Sequence, residues 1–308
     1  MRSCCRWMWF GVMTPLVAAA AFAAGCGGCS KDGGSEESGS PSSRHSSTSV
    51  ELKPQAIESR GSISGRVVVK DVDEKDIEKK NDDLMGKMKA QAGFAPCCAA
   101  GVPEEDTKDQ TWFVGKDHGL EYAVVWLAPP EDHYFKLSKE QDLDDENRGW
   151  EKEKILDQPH CQFHPHVMTL FQYYRDDGKE KETGQTAKVM NSAVGVDHNT
   201  KCDALSLNSL LGSGKSEKMP PAKPSFKPYH VNCNVHPWMS GYIWSFDHPF
   251  AAVTDKDGKF EIKNVPAGME LHLMYWHESM GNKPEQKKMT LEKDKKNDAG
   301  TLEVKYKS

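Results

Sequence analysis

Beyond residue 58 the chain alternates apolar and polar residues in short runs, separated by glycine, proline, asparagine and aspartate. A period of two puts every second side chain on one face, the signature of half-buried strands. Residues 62–69, Ser-Ile-Ser-Gly-Arg-Val-Val-Val, predict the first strand, alternating and β-branched. Residues 122–127 predict a second, ended by Pro129 and Pro130. Further strands are predicted over 161–171, 187–190 and 241–246. The C-terminal part reads as hairpins: a strand at 251–254, a turn at 255–258, an alternating strand at 259–263 and another turn at 265–268. A strand over 271–276 follows, then two closing strands near Met289 and Thr301 around the polar stretch 295–300. One segment breaks the pattern. Residues 71–92 carry Ile77, Leu84, Met85 and Met88 at near-helical spacing among charges, which predicts a surface helix. The charged stretch 136–154 predicts a peripheral insertion, and the Gly-, Ser- and Lys-rich 206–228 a long connection. Short strands punctuated by turns predict an all-β, Greek-key β-sandwich.

The N-terminus has a different character. Arg2 and Arg6 precede an apolar run from Trp7 to Ala24, and small residues then lead into Cys26. A basic start, an apolar core and small residues before a cut site predict an export signal over 1–25. The cysteine after the small residues resembles the bacterial lipobox, which implies acylation of Cys26 and a membrane anchor, although Ala23 stands where leucine is commoner. Residues 26–57 are rich in Gly, Ser and charge, and predict a flexible tether. The net charge of -6 comes without a basic face, so no nucleic-acid partner is expected. Four of nine cysteines fall in the first thirty positions, leaving Cys97, Cys98, Cys161, Cys202 and Cys233. That odd number suits one thiol reserved for chemistry and up to two disulfides. Neighbouring cysteines rarely bridge each other, so one of Cys97 and Cys98 is expected to reach Cys161 or Cys202.

The chemistry concentrates in residues 231–240, Val-Asn-Cys-Asn-Val-His-Pro-Trp-Met-Ser. Cys233, His236 and Met239 put a thiol, an imidazole and a thioether on one short loop. Zinc rarely recruits a thioether, whereas copper electron-transfer sites combine a thiolate, imidazoles and a weak axial thioether. A second imidazole is required. His198, in Asp197-His198-Asn199, is the first choice, with His164, His166 and His230 as alternatives. In an extended strand His164 and His166 would share one face. Pro237 restricts the backbone of His236, and Trp238 is placed to shield the site from water or to pack in the core.

The His-Asn dipeptide followed by a Cys…His…Met loop resembles the cupredoxins. The loop Cys233-x-x-His236-Pro237-Trp238-Met239 and the following His248-Pro249-Phe250 to Phe260 hairpin are similar to those of a bacterial cupredoxin-like group. The resemblance implies one copper ion held by His198, Cys233, His236 and Met239, single-electron transfer, and a redox partner in the cell envelope. The family's better-known blue members space this loop as C-x2-H-x4-M; the shorter spacing here implies a less blue site or an unliganded Met239. Ile63-Ser-Gly-Arg-Val and the C-terminal hairpins resemble the carboxypeptidase regulatory-like, transthyretin-like sandwich. Together these imply a sandwich spanning 58–154 and 247–308, with a cupredoxin-like region over 155–246 inserted in it or merged with it. No Gly-x-Ser-x-Gly, His-Glu-x-x-His or phosphate-cradling glycine loop is present, so an enzyme is not expected. A non-catalytic sandwich that binds polysaccharide or an envelope protein is the alternative.

Overall fold

Ile63, Val67 and Val69 line one face of strand β2 (Ser59–Lys70) and are fully buried, as the alternation requires. A computed structural model describes residues 52–91, 97, 101–144 and 150–308 of the chain. The export signal, Cys26 and Cys98 lie outside the described residues. β2 is the middle of a three-stranded sheet, antiparallel to β16 (Lys259–Ala267) and parallel to β19 (Lys296–Lys305). A four-stranded antiparallel sheet faces it, in the order β15 (Ala251–Val253), β3 (Val124–Ala128), β17 (Glu270–Trp276) and β18 (Glu285–Thr290). Val125, Leu127, Leu271 and Leu273 from this sheet share a core with Ile63, Val67, Leu302 and Val304 from the other. The described residues form an all-β protein in several sheets, with one α-helix, α1 (Glu74–Ala90).

β3 is buried on both faces. Val125 and Leu127 enter the first core, while Val124 and Trp126 point into a second one with Val167, Trp244, Phe246 and Trp276. The Trp126 and Trp244 rings lie 4.7 Å apart, and Trp244 meets Trp276 edge-on at 5.3 Å. Tilted and edge-to-face contacts of this kind add to area burial, and they seam a second sandwich onto the first. That second sandwich pairs a five-stranded sheet with a three-stranded one. The larger sheet runs β11 (Leu207–Leu211), β10 (His198–Cys202), β13 (Tyr229–Asn232), β14 (Ser240–Ser245) and β6 (Val167–Leu170). The smaller runs β12 (Lys215–Lys218), β9 (Thr186–Asn191) and β5 (Glu153–Leu156). Leu156, Phe163, Leu170, Val189, Val231 and Ile243 fill the space between them.

Several elements depart from the sequence pattern. β11 and β12 occupy the stretch expected to be a long connection; Leu207, Ser209 and Leu211 alternate inward there, with Asn208 and Leu210 exposed between them. The tether ends early, because β1 (Lys53–Ala56) pairs in parallel with β4 (His133–Lys136) through its backbone while its side chains stay largely exposed. Residues 161–166 are not a strand: Pro165 offers no N–H to a ladder, and apart from an isolated bridge between His164 and Asp157 the ladder begins at β6. The charged stretch after 136 is not wholly peripheral, since Asp142 is buried and takes two hydrogen bonds from Arg60 at 2.7 and 2.8 Å. The C-terminal strands are not all hairpins either. β15 and β16 are consecutive, yet they pair with different sheets, on β3 and β2. Residues 265–267, expected as a turn, extend β16 past an irregularity in register, and 296–300, expected to lie between strands, belong to β19, whose own irregularity falls between Asp298 and Thr301. A short exposed hairpin, β7 (Tyr173–Asp176) with β8 (Lys179–Glu182), completes the strands.

His277 follows β17 and is 1% exposed, packed on Trp112 with ring centroids 4.9 Å apart. Burial lowers its pKa from an ordinary 6.5 to about 4, against the pull of Glu278. Below the ordinary value the unfolded chain binds a proton that the folded chain refuses. The contribution is therefore complete above that value and is lost as pH falls toward 4, by about 2–3 kcal/mol for this one group. Urea denaturation at about pH 7 and about pH 4.5 should show a smaller acid loss in His277→Gln than in the wild type. Equal losses would place the acid sensitivity elsewhere.

Candidate metal centre

β10 and β13 run antiparallel with Lys201 opposite Asn232. Three residues back along β10, His198 falls level with Val235 in the loop after β13, so it arrives beside the next residue, His236, although the two are far apart in sequence. The loop between β13 and β14 is closed by its own backbone. Cys233 N–H donates to the Met239 carbonyl at 3.3 Å, and Met239 N–H donates to the His236 carbonyl at 3.0 Å. The latter bond spans four residues with Pro237 in the second position, where its fixed φ favours a turn.

Three donor atoms converge there. His198 Nδ1 lies 3.1 Å from His236 Nδ1, and Cys233 Sγ lies 4.0 Å from His236 Nδ1. All three side chains are buried, at 0, 2 and 2% exposure for His198, Cys233 and His236, and their donor atoms fall within 4.8 Å of one another. The Cys233 sulfur also accepts two backbone N–H groups, from Asn199 at 3.3 Å and His236 at 3.4 Å. Desolvation first, and then the neighbouring His236, push the His198 pKa down to about 4; desolvation alone lowers that of His236. Both rings are therefore neutral at physiological pH, the form that ligates metals. An ion with bonds of about 2.0 Å to nitrogen and about 2.3 Å to sulfur separates its donors by about 3–4 Å. The residues present fit such an ion.

Met239 is fully buried in the same core as Cys233, and its carbonyl closes the loop. The outer nitrogen of His236 does not face solvent. Cys97 and Cys161 form a disulfide, and Cys97 Sγ lies 3.9 Å from His236 Nε2. Of the two partners the sequence leaves open, Cys161 is the one bridged; Cys202 and Cys233 are free thiols. Trp238 covers the neighbouring side: its ring centroid is 5.1 Å from that of His236, and its indole N–H donates to the Cys161 carbonyl at 3.1 Å.

The alternative histidines go elsewhere. His164 pairs with Asp106 at 2.6 Å and His166 with Glu278 at 2.5 Å, so the two do not share a strand face. His230 contacts the Ser240 hydroxyl at 3.0 Å and is exposed. Among residues the sequence gave no reason to select, Gln158 is fully buried and its amide donates to the Asn199 carbonyl and the Thr200 hydroxyl, at 3.1 and 2.8 Å. Asn199 binds both sides of the site. Its amide N–H groups donate to Asn208 and to the Ser209 carbonyl, at 3.0 and 3.1 Å, and its carbonyl accepts Asn234 N–H at 3.2 Å. An amide beside a ligand histidine was visible in the sequence; its bracing role needed the register.

No family model and no curated protein sequence matches the chain. Solved structures with local similarity include a purple cupredoxin from Nitrosopumilus maritimus, 16% identical over 30% of this chain and 98% of that one, with a TM-score of 0.23. Amicyanin from Paracoccus versutus is 12% identical over 30% of this chain and 80% of its own, at 0.24. A copper-containing nitrite reductase from Thermus scotoductus is 17% identical over 35% of this chain and 25% of its own, at 0.26. At such low scores, only the side chains described above speak for metal binding in this chain.

Replacing Asn199 by Ala strands the Asn234 N–H and the Ser209 carbonyl. A loss of about 2 kcal/mol in the metal-free protein is expected from denaturant midpoints. A change below about 0.5 kcal/mol would show that the two loops are held by other contacts.

Proposed function

We propose that the chain binds one copper ion through His198, Cys233 and His236, with Met239 as a fourth, weaker contact, and carries single electrons. The observation that carries this reading is the convergence of two neutral imidazole nitrogens and a doubly hydrogen-bonded sulfur in a site closed to water. A thiolate with two imidazoles is a soft, nitrogen-sulfur set that suits copper in both oxidation states. When bound, the ion supplies the one-electron couple. The chain's own part is to hold the donors rigid and to exclude water. Asn199 and the Cys233–Met239 bond fix the loop, the disulfide and Trp238 cover His236, and burial keeps both rings unprotonated. No acid-base pair or nucleophile takes part in this set, so we read the chain as a carrier and not an enzyme. The resemblance of the ligand loop to a bacterial cupredoxin-like group supports the reading, with the regulatory-like sandwich as its scaffold.

The purified protein should bind one equivalent of copper and show a thiolate-to-copper absorption band in the oxidised state. Cys233→Ser should abolish the band, and His198→Ala should weaken binding at least tenfold. Met239→Leu should shift the band and raise the reduction potential, because the oxidised ion loses more from a missing donor. Equimolar copper retained in Cys233→Ser with an unchanged spectrum would overturn the site.

We also propose that the protein is exported and held in the cell envelope by lipid on Cys26, where a redox partner meets it. Two or more acyl chains are needed for stable anchoring. Fatty-acid labelling of cells should mark the wild type and not Cys26→Ser; equal labelling would remove Cys26 as the anchor.

A further inference from the structure

Behind Trp238 lies an open cavity of about 340 Å³, at the lower end of the range for small-molecule sites. Gln110, Gln162, His166, Trp238, Pro237 and Glu278 are among its walls, and Leu84 and Lys87 of α1 form its far side. One residue there is anomalous. Gln110 is 6% exposed, yet neither its amide nitrogen nor its amide oxygen has a hydrogen-bond partner. Two unmet polar atoms on one buried side chain cost stability unless something else binds them. The short turn that carries Gln110 (Gln110–Trp112) is secured independently, since Asp109 caps it by accepting Thr111 N–H at 3.0 Å. Nothing in the turn's own bonding uses the amide.

We propose that this cavity binds a small neutral ring compound bearing adjacent hydroxyl groups. Each element of that description answers to a wall. An amide with a free donor beside a free acceptor is complemented by a group that both accepts and donates, and neighbouring hydroxyls do so side by side. Charged ligands have no free counter-charge at depth. Glu278 is held by His166 at 2.5 Å, and Lys80 is held by Asp76 at 2.5 Å. Of the remaining ions in the lining, Lys87 and Asp83 are exposed and of opposite sign, and the half-buried Asp109 carboxylate accepts Thr111 N–H. Trp238 is half-buried, and its indole N–H is already committed to the Cys161 carbonyl, so what remains of the ring for a ligand is apolar surface. With Pro237 it offers a flat wall to a ring. The proposal does not depend on a metal ion. It does place the ligand against Trp238, whose ring centroid is 5.1 Å from that of His236, so an occupant would sit one aromatic ring away from the metal centre.

A catechol and a monosaccharide both carry this chemistry, and titration calorimetry of the metal-free full chain with catechol and with glucose separates them. At least one is expected to bind at one per chain, and benzoate, an anionic ring, is not. Binding of catechol alone assigns a phenolic ligand, of glucose alone a saccharide, and of both the hydroxyl pair itself. Gln110→Leu should weaken that binding at least tenfold while leaving the melting temperature unchanged or higher, because an unsatisfied buried amide is removed. If Gln110→Leu does not fold, Trp238→Phe provides the second test and should weaken binding by removing part of the wall. No binding of either ring, or undiminished affinity in the folded variant, overturns the proposal. Because no step uses copper, its failure and the failure of the electron-carrier reading are read separately.

Discussion

The architecture turns on keeping two imidazole nitrogens 3.1 Å apart in a place where burial disfavours a proton on either ring. Two histidines that close would repel each other if charged, and in water one of them would turn away. Here they cannot. His198 is fixed by the β10 ladder, and His236 by a turn whose hydrogen bonds run to Cys233 and Met239. Desolvation removes the protonated alternative, so the pair persists as neutral donors facing a sulfur. Much of the second sandwich follows from that need. Its five-stranded sheet supplies the register that brings residues 198 and 233 to one end, and the disulfide and Trp238 close the side that the sheet leaves open.

The first sandwich contributes rigidity at a distance. β3 is shared between two cores, and the tryptophan seam joins β3 and β17 to β14, the strand that leaves the metal loop. His166 adds a polar link along the same line. Its Nδ1 lies 3.0 Å from the Ser240 carbonyl next to Met239, and its Nε2 lies 2.5 Å from Glu278 beyond the end of β17. Both ring nitrogens therefore face oxygen atoms, one on each sandwich. Desolvation acts to raise the Glu278 pKa, but its bonds to His166 and Tyr242 prevail and lower it. The end of the loop is tied to the opposite sandwich in this way.

The local features of this protein were legible in its sequence and the long-range ones were not. Candidate donors could be picked out because cysteine, histidine and methionine lie within seven residues, and the structure brings His198, Cys233 and His236 together. α1 showed itself by spacing, and Leu84 and Met88 are its buried positions. β11 was missed because its inward residues include Ser209, which propensity reads as loop although the pleat buries it. His164 and His166 were given a common face because a strand was assumed through Pro165. Gln110 and Gln158 could not have been chosen at all: each matters through partners, or a lack of them, that only the assembled sheets reveal.

X-ray absorption at the copper edge of the loaded protein tests the central claim most directly. Two nitrogen scatterers near 2.0 Å and one sulfur scatterer near 2.2–2.3 Å are expected, at about the bond lengths such donors make. The sulfur should vanish in Cys233→Ser and one nitrogen in His198→Ala. A spectrum of nitrogen and oxygen scatterers alone, or one unaltered by both substitutions, would contradict it.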